Sequence, residues 1–287
     1  MSEPAGVPGG FSRFRVDLAY DGTDFSGWAK QPGHRTIQGD LEVALTKLFG
    51  ESQDGFGMRV AGRTDAGVHA GHQVCHIDIT SAQLKRLGRT PLSTKRLNSL
   101  LVPEIAILSV ALAPDGFDAR FSATGRRYHY LIADQSAKPD PKRNRFVLTL
   151  PRVVDEKVMA EAAAKLVGLK DFGAFCKPRA KATTIRNLKK LEVVRHRDGL
   201  IQITLEADAF CHNMVRAIVG AIVSVAEQRL SVEELERVQK GAKRTSKFRV
   251  VAPRGLSLES VSYPPDKKMG FQAQNARKRR DLGEISV

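Results

Sequence analysis

What most constrains the fold of this chain is a hydrophobic period that keeps switching. Phe14, Val16, Leu18 and Tyr20 alternate with Arg13, Arg15, Asp17 and Ala19, the two-residue period of a strand with one buried face. Thr36 can then cap a helix on which Ile37, Leu41, Leu45 and Leu48 recur at helical spacing. β-rich stretches follow around Phe56 to Ala61 and His72 to Ile79, then a helix near Leu92 to Leu101 and a strand through Ile105 to Leu112. The second half repeats the mixture. Arg127 to Ala133 reads as a strand, and Asp155 to Val167 as a helix stopped by Gly168. Asp198-Gly199 marks a hairpin turn before the alternating Ile201, Ile203, Leu205 and Ala207. A long helix spans Cys211 to Glu227, Ser231 and Glu234 form a capping box for a shorter helix closed by Gly241, and a last strand runs near Leu256 to Tyr263. Strands interleaved with helices in both halves predict an α+β fold.

We expect a loose Gly- and Pro-rich leader over residues 1–11, an N-terminal unit over 12–115, a C-terminal unit over 116–265, and a disordered basic tail over 266–287. The length of 287 residues suits two modest units or one large one, and 42% hydrophobic residues are enough to build cores. Lys and Arg number 46 against 31 Asp and Glu, a formal net charge of +15. That excess points to a polyanionic partner, nucleic acid first and an acidic membrane surface second. The apolar run around Met214 to Ala226 is too short to span a bilayer and carries Arg216, and the N-terminus lacks the apolar core of a signal peptide. Cys75, Cys176 and Cys211 are odd in number and far apart, which fits a reducing cytoplasm rather than a disulfide framework.

The densest chemistry lies in Ala61-Gly-Arg-Thr-Asp-Ala-Gly-Val-His-Ala70. Gly62 and Gly67 bracket Arg63 and Asp65, so the backbone can turn tightly and approach a ligand. If the piece between them is extended, Arg63 and Asp65 point to one side and Thr64 to the other. A carboxylate beside a guanidinium stays ionised at neutral pH and can act as nucleophile or base without a metal. The plainer alternative is a surface Arg–Asp pair in a Gly-bounded loop.

These residues, with Gln73-Val74, resemble the signature of the TruA-type tRNA pseudouridine synthases. Further segments fall in that family's order: Tyr20-Asp-Gly-Thr-Asp-Phe-Ser-Gly-Trp28, Thr36-Ile-Gln38 with Leu41-Glu42, and Leu97-Asn98. Phe117 to Tyr130, His212 to Gly220 and Ala252 to Leu258 continue the series, so the resemblance covers roughly residues 13–263. It implies a pseudouridine synthase fold of two similar α/β subdomains, with antiparallel mixed sheets flanked by helices and a basic cleft between them. It also implies an isomerase with no cofactor and no metal, acting on uridines 38, 39 and 40 of the tRNA anticodon stem–loop, as a cytoplasmic homodimer. By the same resemblance Asp65 is the catalytic carboxylate, Arg63 helps draw the target base from the stack, and Tyr128 packs on the base. Arg216 either pairs with Asp65 or binds a phosphate, Leu256 closes the pocket, and Arg126, Arg127 and His212 contact the substrate. Tyr130 reads as core. On the helix, His212, Arg216 and Gly220 form a polar stripe at spacing four. The chain departs from the family at Ala29, where Gln is usual, at Gly168 to Asp171, and at Glu227 to Leu230, where a Gly-containing turn is usual.

A noncatalytic RNA-binding or RNA-chaperone protein is the rival reading; it needs no carboxylate among its basic residues. Asp17 to Thr23 is like an aspartyl-phosphate phosphatase motif, but Ala19 stands where that motif requires an aspartate. His69, His72, Cys75 and His76 could suggest a metal site. Their apolar neighbours favour a strand, which sends Cys75 to the face opposite His72 and His76.

Overall fold

The computed structural model describes residues 10–177, 183–278, 280 and 282–285. By its contacts the chain forms two units, residues 1–123 with 261–277 and residues 124–260 with 278–287. Both are mixtures of strands and helices, the α+β build that the alternating periods predict.

In the first unit, strands β1 (Phe11–Tyr20), β2 (Arg59–Val60), β3 (His69–Thr80) and β4 (Ile105–Leu112) surround helices α1 (Ile37–Phe49), α2 (Ser81–Lys85) and α3 (Thr94–Asn98). β1 lies between β3 and β4, antiparallel to both, and β2 adds to β3. The register sets Val16 opposite Cys75 and Val110. On one face, Val16, Cys75, Ile77 and Ile107 meet Leu41, Ala44 and Leu45 of α1 and Leu97 of α3. α1 begins where predicted, because the Thr36 hydroxyl accepts the Gly39 amide at 3.2 Å. Its buried stripe ends on Phe49, with Leu48 only half-buried.

The opposite face of this sheet is covered by a second cluster, in which Val74 packs with Ala61, Phe117, Ala119 and Met269. The charged residues that alternate along β1 therefore do not simply face water. Arg13 binds Asp78 through two 2.7 Å bonds and also donates to the Phe117 carbonyl; the bond to Asp78 raises its already high pKa. Arg15 pairs with Asp17 at 2.8 Å and lies 4.9 Å from the Tyr263 ring.

The second unit contains β5 (Gly125–Ala133), β6 (Leu148–Thr149), β7 (Gly168–Asp171), β8 (Ile185–Arg195), β9 (Ile201–Ala207) and β10 (Leu256–Ser262), with helices α4 (Glu156–Ala164), α5 (Met214–Ala226) and α6 (Val232–Gly241). β10 runs on at its end into the segment that belongs to the first unit. The strand order is β10-β5-β9-β8-β7. β5, β9, β8 and β7 pair antiparallel in turn, and β6 joins β5 in parallel. Gly199 turns the β8–β9 hairpin with φ +86°, as Asp198-Gly199 predicts. The Ser231–Glu234 capping box forms. α5 is buried all round, with eleven of its residues from Met214 to Val225 inside, so it is a central helix and not a surface one.

Three boundary expectations need correction. Phe11, expected in the leader, already belongs to β1, where it pairs with Thr80, and residues 1–9 lie outside the described residues. The division falls after Ala123 rather than near residue 115, because Phe117 and Ala119 pack into the first unit. The supposed tail from 266 contains a helix, α7 (Met269–Asn275), whose Met269 and Ala273 are buried. Met269 docks this short helix by packing into the cluster with Val74, Phe117 and Ala119. Arg279, Asp281, Ser286 and Val287 of that tail lie outside the described residues.

Candidate active site

The segment from Ala61 to Val68 is a loop between β2 and β3 with little ladder pairing of its own. Side chains and glycine contacts hold it instead. Burial alternates along it as an extended piece requires: Arg63 is exposed, Thr64 is 7% exposed, and Asp65 is half-buried. Thr64 is thus the inward anchor between two less buried side chains, Arg63 and Asp65.

What the loop rests on is the Tyr20 to Trp28 segment. The Trp28 amide donates to the Thr64 carbonyl at 3.1 Å, and the Gly67 amide to the Phe25 carbonyl at 3.2 Å. Gly27 has φ +90°, and a β-carbon there would stand 2.7 Å from the Thr64 oxygen. The Val68 amide closes a turn on the Asp65 carbonyl at 3.2 Å, with Gly67 at φ +73° in the position that demands glycine. Ile37 and Gln38, at the start of α1, donate to the carbonyls of Gly27 and Trp28, so the helix start is tied to the same support.

Beneath the loop lies a buried polar cluster. Tyr20 and Thr64 share a hydroxyl–hydroxyl bond of 2.8 Å. Gln73, wholly buried, donates through Nε2 to the Gly62 carbonyl at 2.8 Å and to the Tyr20 hydroxyl at 3.2 Å. The sequence motif marks Tyr20 and Gln73 but not this task. The one signal for it is a tyrosine on the buried face of β1, whose hydroxyl must find a partner.

The histidines nearby serve the framework. His69 is buried, with Nδ1 at 3.1 Å from both the Gly22 amide and the Asp21 carboxylate. His76 Nδ1 accepts the Ala119 amide at 3.0 Å, and burial, reinforced by Arg13, pushes its pKa down to about 4. His72 lies 3.4 Å from Asp17. Among the described residues no group of three or more His, Cys, Asp and Glu is placed to hold a metal ion.

The remaining candidate residues belong to the second unit. Tyr128, on β5, is 8% exposed and meets Phe210 edge-on at 5.1 Å. Tyr130 is fully buried, as expected of core, and donates to the Ala252 carbonyl at 2.7 Å; burial raises its pKa against the pull of Arg216 and Arg254. Arg126 is buried beside Tyr128 in strand alternation and donates to the Asp208 carbonyl at 2.7 Å. Arg127 points to the other face and pairs with its cross-strand neighbour Glu206 at 2.9 Å, so Tyr128 and Arg127 are not brought together. Leu256 is buried at the start of β10.

His212 is exposed ahead of α5, and Arg216 is half-buried on it. Arg216 Nε donates to the Val251 carbonyl at 2.7 Å. Gly220, one turn on, faces the same segment so closely that a β-carbon would fall 1.8 Å from the Arg249 oxygen. The stripe at spacing four is therefore partly a docking stripe for residues 249–251. Cys176 and Cys211, far apart in sequence, are brought together, and the proximity of the second thiol together with burial raises the pKa of Cys176.

A family profile described as tRNA pseudouridine synthase matches residues 162–264. The tRNA pseudouridine synthase A of Leifsonia xyli subsp. xyli is 43% identical over 283 residues, covering 94% of this chain and 98% of the relative. That of Streptomyces avermitilis is 44% identical, covering 96% of each, and that of Frankia casuarinae 45% identical, covering 93% and 95%. A solved Cbf5-Nop10-Gar1 complex aligns at a TM-score of 0.30 and 10% identity over 85% of this chain and 57% of its own, too weak a likeness to place the fold. Relatives this similar across nearly the whole of both chains show that this protein belongs to the tRNA pseudouridine synthase A family.

Proposed function

We propose that Asp65 is the carboxylate through which this protein converts uridine to pseudouridine. The reaction itself, uridine isomerisation in the anticodon region of tRNA, goes with family membership. It breaks the N-glycosidic bond, turns the base and rejoins it through carbon, so nothing is consumed and no cofactor is called for. The observation that carries the assignment is the alternation of the loop, with Thr64 buried and Arg63 and Asp65 turned outward from a braced backbone. A carboxylate presented on a rigid support is what a positioned nucleophile or base requires.

The finer roles belong to the same proposal. Arg63 helps extrude the base, whose unstacking costs a few kcal/mol. Tyr128 packs on the base, and Leu256 closes the pocket. Arg216 pairs with Asp65 or takes a phosphate, and Arg126, Arg127 and His212 contact the RNA. For Arg127 the bond to Glu206 must then yield to RNA. The sites modified are uridines 38, 39 and 40, and the enzyme works as a cytoplasmic homodimer of subunits with two similar halves and a basic cleft. No helix among the described residues is long and apolar enough to cross a membrane.

The test is pseudouridine mapping on unmodified tRNA with wild type and Asp65→Asn, alongside tRNA binding. Conversion at the anticodon stem–loop by wild type alone, with binding kept in the variant, is the expected result. An active Asp65→Asn enzyme removes the carboxylate from the mechanism. A folded wild type that binds tRNA and converts nothing favours the RNA-binding rival.

A further inference from the structure

We propose that Tyr20, Thr64 and Gln73 are positioning residues for the reaction, a buried hydrogen-bond chain that sets where Arg63 and Asp65 stand. This rests on the reading of Asp65 as the catalytic carboxylate.

A loop lacks the ladder that would fix a strand, so something else must define the height of its backbone. Here three side chains do it, all nearly inaccessible: Gln73 0%, Tyr20 4% and Thr64 7% exposed. Gln73 comes from β3, and Tyr20 from the end of β1. The amide of Gln73 spends its donor group on two partners, the Gly62 carbonyl at 2.8 Å and the Tyr20 hydroxyl at 3.2 Å. Its Oε1 accepts the Val74 amide at 3.2 Å, which fixes the amide's orientation: reversed, oxygen would face the Gly62 oxygen. Tyr20 extends the hydrogen-bond chain to Thr64 at 2.8 Å. One buried amide thereby grips the loop immediately before Arg63 and, through Tyr20, immediately before Asp65. The Trp28 amide on the Thr64 carbonyl adds a backbone hold at the same residue.

None of these three side chains need touch the RNA, since all three are nearly inaccessible. Their effect on chemistry is geometric. Buried polar chains define one arrangement strongly because a half-made one leaves groups unpaired in a medium of low dielectric. A displacement of the reacting group by about 1 Å can cost about 100-fold in rate. The binding surface for tRNA, spread over many basic groups, should be little changed by such a shift.

The test uses Tyr20→Phe, Thr64→Val and the two combined, with Thr64→Ser as the conservative variant and Asp65→Asn as control. Tyr20→Phe removes one oxygen from an otherwise unchanged ring, so it is the variant best able to fold. Single-turnover rates at saturating enzyme separate chemistry from binding, and each protein's melting is followed. The expected result is a rate lower by about 10- to 100-fold in Tyr20→Phe and Thr64→Val, with tRNA affinity within about threefold of wild type. The combined variant should be no worse than the poorer single one, because both break the same bond. Thr64→Ser should recover most of the rate. Wild-type rates in Tyr20→Phe and Thr64→Val, with Asp65→Asn inactive, would overturn the positioning role and leave the carboxylate's role intact. Rate losses that merely follow the unfolded fraction, and vanish below the melting range, would overturn it too. An active Asp65→Asn enzyme would instead remove the reading on which the proposal stands.

Discussion

Gly27 abuts Thr64 so closely that a β-carbon on the glycine would come within 2.7 Å of the Thr64 carbonyl oxygen and 3.1 Å of the Asp65 carbonyl carbon. The contact is with backbone, which has no rotamer to give. The φ of +90° adds strain of about 1–3 kcal/mol for any residue but glycine. Gly27→Ala should therefore push the loop outward and break the Trp28 amide bond to Thr64. We expect at least about a tenfold loss of turnover on tRNA, at temperatures where circular dichroism shows the variant folded. A variant with wild-type turnover would mean that the loop tolerates displacement and that its support is not rigid.

In the second unit Arg195 ties four segments together. It reaches Asp134 at 2.9 Å, Glu156 at 2.9 Å, Ser136 at 2.8 Å and the carbonyls of Val154 and Gly199. The Asp134 carboxylate is fully shielded from solvent. Burial alone would raise its pKa, but Arg195, Ser136 and the Val154 amide outweigh that and hold it at about 2. Arg195→Met would leave this carboxylate buried beside an apolar chain. Breaking such a pair costs about 3–5 kcal/mol, which urea denaturation would read directly. Because the folded pKa is depressed, the pair's contribution is present above about pH 4 and is lost as pH falls through about 2. A loss below about 1 kcal/mol in the variant would show that the network is replaceable.

His76 gives the first unit a sensitivity at milder pH. Its Nδ1 accepts the Ala119 amide and so must be unprotonated, and burial lowers its pKa from the ordinary 6.5 to about 4. Arg13 and Arg59 push it the same way, against Asp118 and Asp78. The unfolded chain takes up the proton between these values and the folded one does not, so stability rises with pH across that window. Between about pH 7 and pH 5 we expect a loss of about 2 kcal/mol from this group, at about 1.4 kcal/mol per unit. His76→Gln keeps an acceptor but cannot titrate, and should show a visibly smaller change of melting temperature over the same range. An equal change in both proteins would assign the sensitivity elsewhere.

What can be read from the sequence is local. The alternation of β1, the Thr36 cap, the Asp198-Gly199 turn and the Ser231–Glu234 box each involve neighbours a few residues apart, and each stands in the structure. The outward turn of Arg63 and Asp65 is legible for the same reason. What supports them is not. Tyr20 and Thr64 are 44 positions apart, and Gln73 and Tyr20 are 53 apart. No period encodes which strand register brings them together. The polar stripe on α5 misleads in part because a glycine reads equally as ligand approach and backbone approach, and at Gly220 it is the Arg249 backbone that approaches. Short elements such as β6, with two residues, and α7 carry too few positions to show a period at all.

The charge of the chain leads to the last prediction. A formal net charge of +15 on 287 residues supplies far more cations than the acidic groups can pair. If these hold tRNA through its phosphates, binding releases condensed counterions, and affinity must fall with salt. Each phosphate contact releases about 0.7 to 0.9 counterions, so about six contacts give a loss of about 300- to 2,000-fold between roughly 50 and 200 mM salt. Titrating Asp65→Asn with labelled tRNA across that range separates binding from turnover. A slope near zero would mean that the RNA is held by stacking and shape, with the basic surface idle. A steep slope that is equal for tRNA and an unrelated RNA of the same length would place the electrostatic share in general attraction, and leave the choice of the anticodon arm to contacts other than those with phosphate.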